Sequence, residues 1–387
     1  MRKGQHCSGL LNENRYVNEM KEKNNVMRNI LLALALTLQS ISIFAQRNLE
    51  EFHRLQIQPA IYYVQKTQER ISIDGKADEK SWTLAPWTSP FCDIEGPSRP
   101  APTLNTQVKM LWDEENLYIY AKLDEPHING YLRQPDTIIY HDNDFEVFLK
   151  PNLRSPDYVE IEVNALNTVM DLLMTKPYRF GGKANLNWDT KGLTSAVYHE
   201  GTINNPSDRD KFWSVEIKMP VKSLKYFGEG QHIKTNEVWK INFSRVQWHY
   251  DSTEKGYTKR KDTNGKLLSE QNWVWSPIGL INMHYPERWG HIKFVEHADQ
   301  HFLDRSFLTI EKIAWNIFYL QEIYKRENKC YARSLADLNT LYPGLSADSK
   351  AYDITFSNAN NFYHVEIKSK SKPSLKASID SQGNIYF

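Results

Sequence analysis

Between about residues 61 and 296, apolar side chains recur at every second position, and this period constrains the fold more than any other feature. Val108, Met110 and Trp112 alternate with Gln107, Lys109 and Leu111. Leu117, Ile119, Ala121 and Leu123 follow the same rule, as do Phe145, Val147 and Leu149, then Val159, Ile161 and Val163. Trp213, Val215, Ile217 and Met219 make a fifth run, and Trp239, Ile241 and Phe243 a sixth. Turn-forming pieces separate them, among them Asp113-Glu114-Glu115-Asn116 and Asn204-Asn205-Pro206-Ser207. A strand with this alternation turns one face to a core. Many such short strands with no long helix between them imply a mainly β chain built as an antiparallel β-sandwich. A helical period occurs only briefly in this region, as at 77–84.

Beyond residue 300 the pattern changes. Ile310, Ile313, Ala314, Ile317, Leu320 and Tyr324 fall at helical spacing, which predicts a helix over 308–326. Ser334 and Asp337 resemble a capping box opening a second, short helix. Four short strand patterns follow, at 352–356, 363–367, 375–379 and 385–387, with a hairpin turn at Ser381-Gln382-Gly383. Residues 300–387 thus read as a small α+β domain of unknown role behind a sandwich over 61–297. The charged stretch 250–272 reads as a solvated loop or a protruding hairpin.

The first 45 residues read as an address. Lys21, Lys23 and Arg28 precede the apolar run 30–38, and a small residue, Ala45, stands at the expected cut, with Met20 or Met27 as the start. The run is too short to span a bilayer. The expectation is an exported protein, periplasmic or extracellular, with no transmembrane anchor and a leader over 46–60. Cys92 and Cys330 then remain, either free or as one bridge.

Composition narrows the function. Lys+Arg 48 against Asp+Glu 47 gives a net charge of +1, which argues against nucleic acid as a partner. Aromatic residues make up 12%, with 11 tryptophans, a surplus suited to stacking on flat ligands. No G-x-S-x-G, H-E-x-x-H, P-loop or G-x-G-x-x-G occurs. The carboxylate constellation is Asp142, Asp144 and Glu146, which at alternate positions share one strand face. Three readings stay open: a solvated polar face, calcium held by Asp142 and Asp144 through hard oxygens, and a general acid and base at Asp144 and Glu146.

Ile73-Asp74-Gly75-Lys76-Ala77-Asp78-Glu79-Lys80-Ser81-Trp82 resembles the opening strand and turn of family 9 carbohydrate-binding modules. Five further pieces match in order. They are Val108 to Asp113 with Leu117-Tyr118, the acidic strand at 142–149, Glu162-Val163-Asn164-Ala165, the W-x-x-E-x-x-x-P strand of Trp213, Glu216 and Pro220, and the pair formed by 239–245 and Trp275-Ser276-Pro277. The resemblance covers about residues 60–296, leading through Pro286 to Gly290 into a last strand. It implies a module that binds an oligo- or polysaccharide without cleaving it and serves polysaccharide utilisation, with glycan-degrading enzymes as partners. It also implies a sugar held between two rings, here Tyr140 and Trp275, with hydrogen bonds from Glu146, Glu162, Asn164 and Arg245. Tyr140 stands where some members carry tryptophan, and Glu162 where a basic residue occurs. Trp82, Trp112, Trp213 and Trp239 are read as core positions, and Trp188 and Trp248 are candidates to line a rim. The same sandwich superfamily includes haem-binding electron-transfer modules, for which Met170, His141, Met283 and His284 are available axial ligands.

Overall fold

The computed structural model describes residues 49–225, 230–254, 256–297, 303–359 and 361–387; the signal peptide expected over 1–45 lies outside them. His53–Phe387 form one compact unit. Its main sheet contains β1 (Ile61–Lys66), β2 (Cys92–Asp93), β3 (Thr106–Trp112), β4 (Asn116–Asp124), β5 (Asp144–Lys150), β6 (Tyr158–Asn164), β7 (Val169–Met174) and β8 (Ala184–Asn185). It continues with β9 (Thr194–Glu200), β10 (Phe212–Pro220) and β11 (Val238–Gln247). A hairpin of its own, β12 (Tyr250–Thr253) and β13 (Gly256–Lys259), precedes β14 (Gln271–Val274) and β15 (Gly290–Val295). The strand order is β8-β7-β6-β5-β11-β15-β1-β3-β4-β10-β9, with β14 and β2 branching from β11.

The alternation fixes which face packs. Val108, Met110, Leu117, Ile119, Val215 and Ile217 from one half of the sheet share a single buried core with Phe145, Val147, Ile161, Trp239 and Phe243 from the other. That core makes the curled sheet a sandwich. The register carries the same residues through the layers, Val108 opposite Ala121 and Ala121 opposite Val215. At the turn between β3 and β4, Asp113 Oδ1 accepts from the Glu115 and Asn116 N–H groups at 2.8 and 2.7 Å, which caps the reversal. The pairing is antiparallel except at β1, which runs parallel to both β15 and β3. The expected charged insertion is the β12–β13 hairpin.

One expectation fails in a useful way. The outer faces of β5, β6 and β11 are buried as well as the inner ones. A second apolar cluster of Ile139, Phe148, Tyr158, Met170, Leu172, Met283 and Trp289 covers part of that side. The polar residues that alternation placed in solvent there are enclosed, so each needs a partner.

Two short helices interrupt the sheet connections, α1 (Lys80–Leu84) and α2 (Val221–Leu224). The C-terminal part holds α3 (Arg305–Asn328), α4 (Leu335–Asn339), α5 (Gly344–Asp348) and a four-stranded sheet in sequence order, β16 (Tyr352–Ala359), β17 (Phe362–Ser369), β18 (Lys376–Asp380) and β19 (Ile385–Tyr386). Ser334 and Asp337 form the expected capping box. α3 meets the sandwich through buried polar groups. Glu311 lies 2.9 Å from Lys240 Nζ and 2.8 Å from His291 Nε2, and the Tyr319 hydroxyl donates to Glu287 Oε1 at 2.7 Å. Cys92 and Cys330 are both free thiols. No helix among the described residues is long and apolar enough to cross a membrane.

Candidate functional site

The sequence motifs converge, but not all on a ligand. Glu216, the glutamate of the W-x-x-E-x-x-x-P strand, reaches the opening turn: its Oε2 accepts from the Asp74 and Gly75 N–H groups at 3.0 and 3.1 Å, and Oε1 accepts from Trp82 Nε1 at 2.9 Å. Burial outweighs the pull of the three donors and raises this carboxyl to about 7. Two motifs separated by about 140 residues are therefore one structural joint. Gly75 is required there, because a Cβ would meet the Tyr198 backbone nitrogen at 2.7 Å.

The end of the sheet where β5 begins and β11 finishes is different. Val246 pairs with Asp144 there, so the residue just after β11, Trp248, comes beside the 3-10 turn Ile139–His141 just before β5. Trp248 Nε1 donates to the Tyr140 carbonyl at 2.7 Å, and the Trp248 N–H donates to Asn143 Oδ1 at 2.7 Å. Lys259 of β13 lies 3.3 Å over the Trp248 ring and donates to the His141 carbonyl at 2.6 Å. The Tyr131 hydroxyl reaches the Tyr257 carbonyl at 3.4 Å. Tyr140 is 39% exposed and Tyr131 48%, against values near zero for the core rings. Exposed aromatic faces, an indole and an ammonium thus share one end of the sandwich.

The other proposed sugar contacts lie elsewhere or underneath. Trp275 is 3% exposed, edge-on to Tyr62 and tilted against Phe243, with Gly290 beneath its six-membered ring. It is a core tryptophan, and the expected clamp of Tyr140 and Trp275 across a groove is not formed. Arg245 is buried too. It donates to Thr106 Oγ1 at 3.0 Å and to the Asp124 carbonyl at 2.9 Å, and pairs with Glu125 at 3.1 Å, tying β11 to β4. Asn164 spends its amide on Leu132 and Asp142 and its oxygen on the Leu166 and Thr168 N–H groups, which leaves no group for a sugar. Trp188 packs against the main core, while Trp248 stays partly open.

Asp142 is not placed as a calcium ligand. Its Oδ2 already accepts from the Tyr131 and Leu132 N–H groups at 2.7 and 2.9 Å and from Asn164 Nδ2 at 3.0 Å, fixing the loop that presents Tyr131. Asp144, Glu146, Glu160 and Glu162 instead gather on the outer faces of β5 and β6, with Glu146 directly opposite Glu162. Glu162 Oε2 accepts from the Tyr140 N–H at 2.9 Å, so the aromatic turn rests on this cluster. Burial, then the neighbouring carboxylates, raise Asp144 and Glu160 well above the usual range and Glu146 to about 8. Burial raises Glu162 to about 7 against the pull of the Tyr140 N–H. The acid-base pair Asp144 and Glu146 is 0% and 5% exposed, out of reach of a glycosidic bond at the surface. Of the four available haem ligands, Met170 and Met283 lie in the second apolar cluster, and His284 Nδ1 is 2.7 Å from the Tyr158 hydroxyl.

Alternation showed that Glu146, Glu162 and Asn164 share a face; it carried no sign that other segments cover it. The signal for Trp248 was its position just past the end of a strand run, on the same end as Tyr140.

A family match agrees with the fold. The sequence pattern of the family described as "Carbohydrate family 9 binding domain-like" matches residues 73–293. A protein from Bacteroides uniformis ATCC 8492, provisionally described as carbohydrate-binding, shares 15% identity over 61% of this chain and 99% of its own, with a TM-score of 0.45. A family 9 carbohydrate-binding module from Caldicellulosiruptor kristjanssonii, solved with cellotriose, shares 16% identity over 63% of this chain and 98% of its own, with a TM-score of 0.40. The structure of a family 9 module from that organism with glucose gives 15% identity, 63% and 100% coverage, and a TM-score of 0.39. No curated protein matches the chain.

Proposed function

Because this chain belongs to the carbohydrate family 9 binding domain-like family, with more than half its length in the match, we propose that it binds an oligo- or polysaccharide and leaves the bonds of that sugar intact. The observation that carries the reading is the exposed Tyr140 ring, held by its backbone carbonyl to Trp248 Nε1, with a second open ring, Tyr131, on a loop held by Asp142 just past that turn. A pyranose has apolar C–H faces. Covering one face with a flat ring removes apolar area from water, while hydroxyls at the rim keep polar partners. Lys259 over the Trp248 ring supplies a donor at that rim. The platform is fixed before a ligand arrives, since Asp142 holds the Tyr131 loop and Glu162 holds the Tyr140 turn. Preorganisation of this kind lowers the ordering cost of binding.

The reading extends to biology as expectation. An exported protein of this kind, periplasmic or extracellular, serves polysaccharide utilisation beside glycan-degrading enzymes. The test is a panel of gluco- and xylo-oligosaccharides presented to the purified chain, with reducing ends counted in the same samples. Saturable binding without new reducing ends supports the proposal. Release of reducing ends that stops in Glu146→Gln would show an enzyme instead.

A further inference from the structure

We propose that Asp144, Glu146 and Glu162 hold one hard divalent cation of the calcium class beneath the aromatic turn. Each of the three offers a carboxylate oxygen, and those oxygens all lie within 4.8 Å of one another. Calcium–oxygen bonds are about 2.3–2.6 Å, so ligands on opposite sides of one ion stand about 4.6–5.2 Å apart. A single ion at the centre therefore reaches all three without moving a strand.

A second observation, independent of the acidic composition, points the same way. Ser244 Oγ is wholly buried, sits on β11 directly opposite Glu146, and has no hydrogen-bond partner. Asp144 Oδ2 is buried without a partner as well, and so is Glu160 Oε2 on the neighbouring rung. Buried polar atoms are rarely left unmet, and three on one patch mark a place built for something. Among the described residues, no lysine, arginine or histidine forms an ion pair with any of the four carboxylates. Like charges directly opposite on adjacent strands destabilise a sheet, as Glu146 and Glu162 would by themselves. A hard cation cancels that repulsion and supplies the missing partner to the orphaned oxygens. The ion would also brace the turn above, since Glu162 holds the Tyr140 N–H. The assignment stands whether or not the protein binds sugar.

The test uses the full chain stripped with EDTA and then titrated with calcium chloride, by calorimetry and by thermal unfolding, with sodium chloride at matched ionic strength as control. The expected result is one calcium per chain and a rise in Tm of several degrees. Glu162→Gln and Glu146→Gln keep side-chain shape, and each should weaken calcium binding at least about tenfold while the chain stays folded. Asp144→Asn serves as the check if either of those fails to fold. No heat and no Tm change with calcium would overturn the proposal, leaving shared protons as what the carboxylates hold. A calcium response that persists undiminished in the folded variants would overturn it equally, because the ion would then sit elsewhere.

Discussion

At Gly290 a Cβ would meet Trp275 Cζ3 at 2.4 Å and Cη2 at 2.7 Å. That contact fixes the role of Trp275: the backbone has given up a side chain so that the indole can lie flat in the core. Gly290→Ala should therefore cost about 1–3 kcal/mol in chemical denaturation, the range for overpacking a filled interior. Trp275→Ala should cost about 3–5 kcal/mol by leaving a cavity. Tyr140 is the contrasting case. Its exposed ring supports no core, so Tyr140→Ala should leave Tm nearly unchanged while weakening sugar binding by about 1–3 kcal/mol, measured by titration calorimetry. From the sequence both residues look alike, aromatics next to strand patterns in a motif associated with sugar. What separates them is a glycine 15 positions away in the chain from Trp275, on β15 and against its ring, a neighbour that no local pattern discloses.

Elements show where alternation is a sufficient guide and where it is not. β3, β4, β5, β6, β10 and β11 were legible because each buries one continuous set of alternate residues in the same core. β7 was not: its outer residues Met170, Leu172 and Met174 lie in the second apolar cluster, so the strand is apolar on both faces apart from Asp171. The parallel pairing of β1 could not be read either, since strand direction leaves no mark on residue spacing. The joint between the first turn and β10 was visible only as two separate motifs. Removing its acceptor strands three donors at once, two of them backbone. Glu216→Ala should destabilise the fold by about 2–4 kcal/mol, as read by urea unfolding, and should free the Trp82 indole to give an altered fluorescence spectrum.

For the molecule as a whole, α3 is fastened to the sandwich by ionised groups out of water. Burial opposes the charge on Glu311, but Lys240 and then His291 more than reverse it and hold the carboxyl at about 2 against an ordinary 4.5. Burial and the Lys240 charge also lower His291 from its ordinary 6.5, keeping it neutral. Both folded-state values lie below the unfolded ones, so in each case the unfolded chain takes the proton first. The stability contributed by this contact is fully present above about pH 6.5 and is lost with acidification, first through the histidine and then between 4.5 and 2 through the carboxylate. The carboxylate step is on the order of 3 kcal/mol. Glu311→Gln should flatten the pH dependence of unfolding in that lower window and lower stability at neutral pH. The helix itself was legible from its apolar spacing, whereas the buried glutamate within it reads as a surface residue until its partners on β11 and β15 are known. The platform of Tyr140 and Trp248 depends on the same long-range assembly, since it exists only where the start of β5 meets the end of β11. Calorimetry of the tightest-binding oligosaccharide with wild type, Tyr140→Ala and Trp248→Ala tests it most directly. The account predicts saturable binding to wild type that weakens at least about fivefold in each variant, with both variants folded. Undiminished affinity in the two variants, or no oligosaccharide bound by wild type, would contradict it.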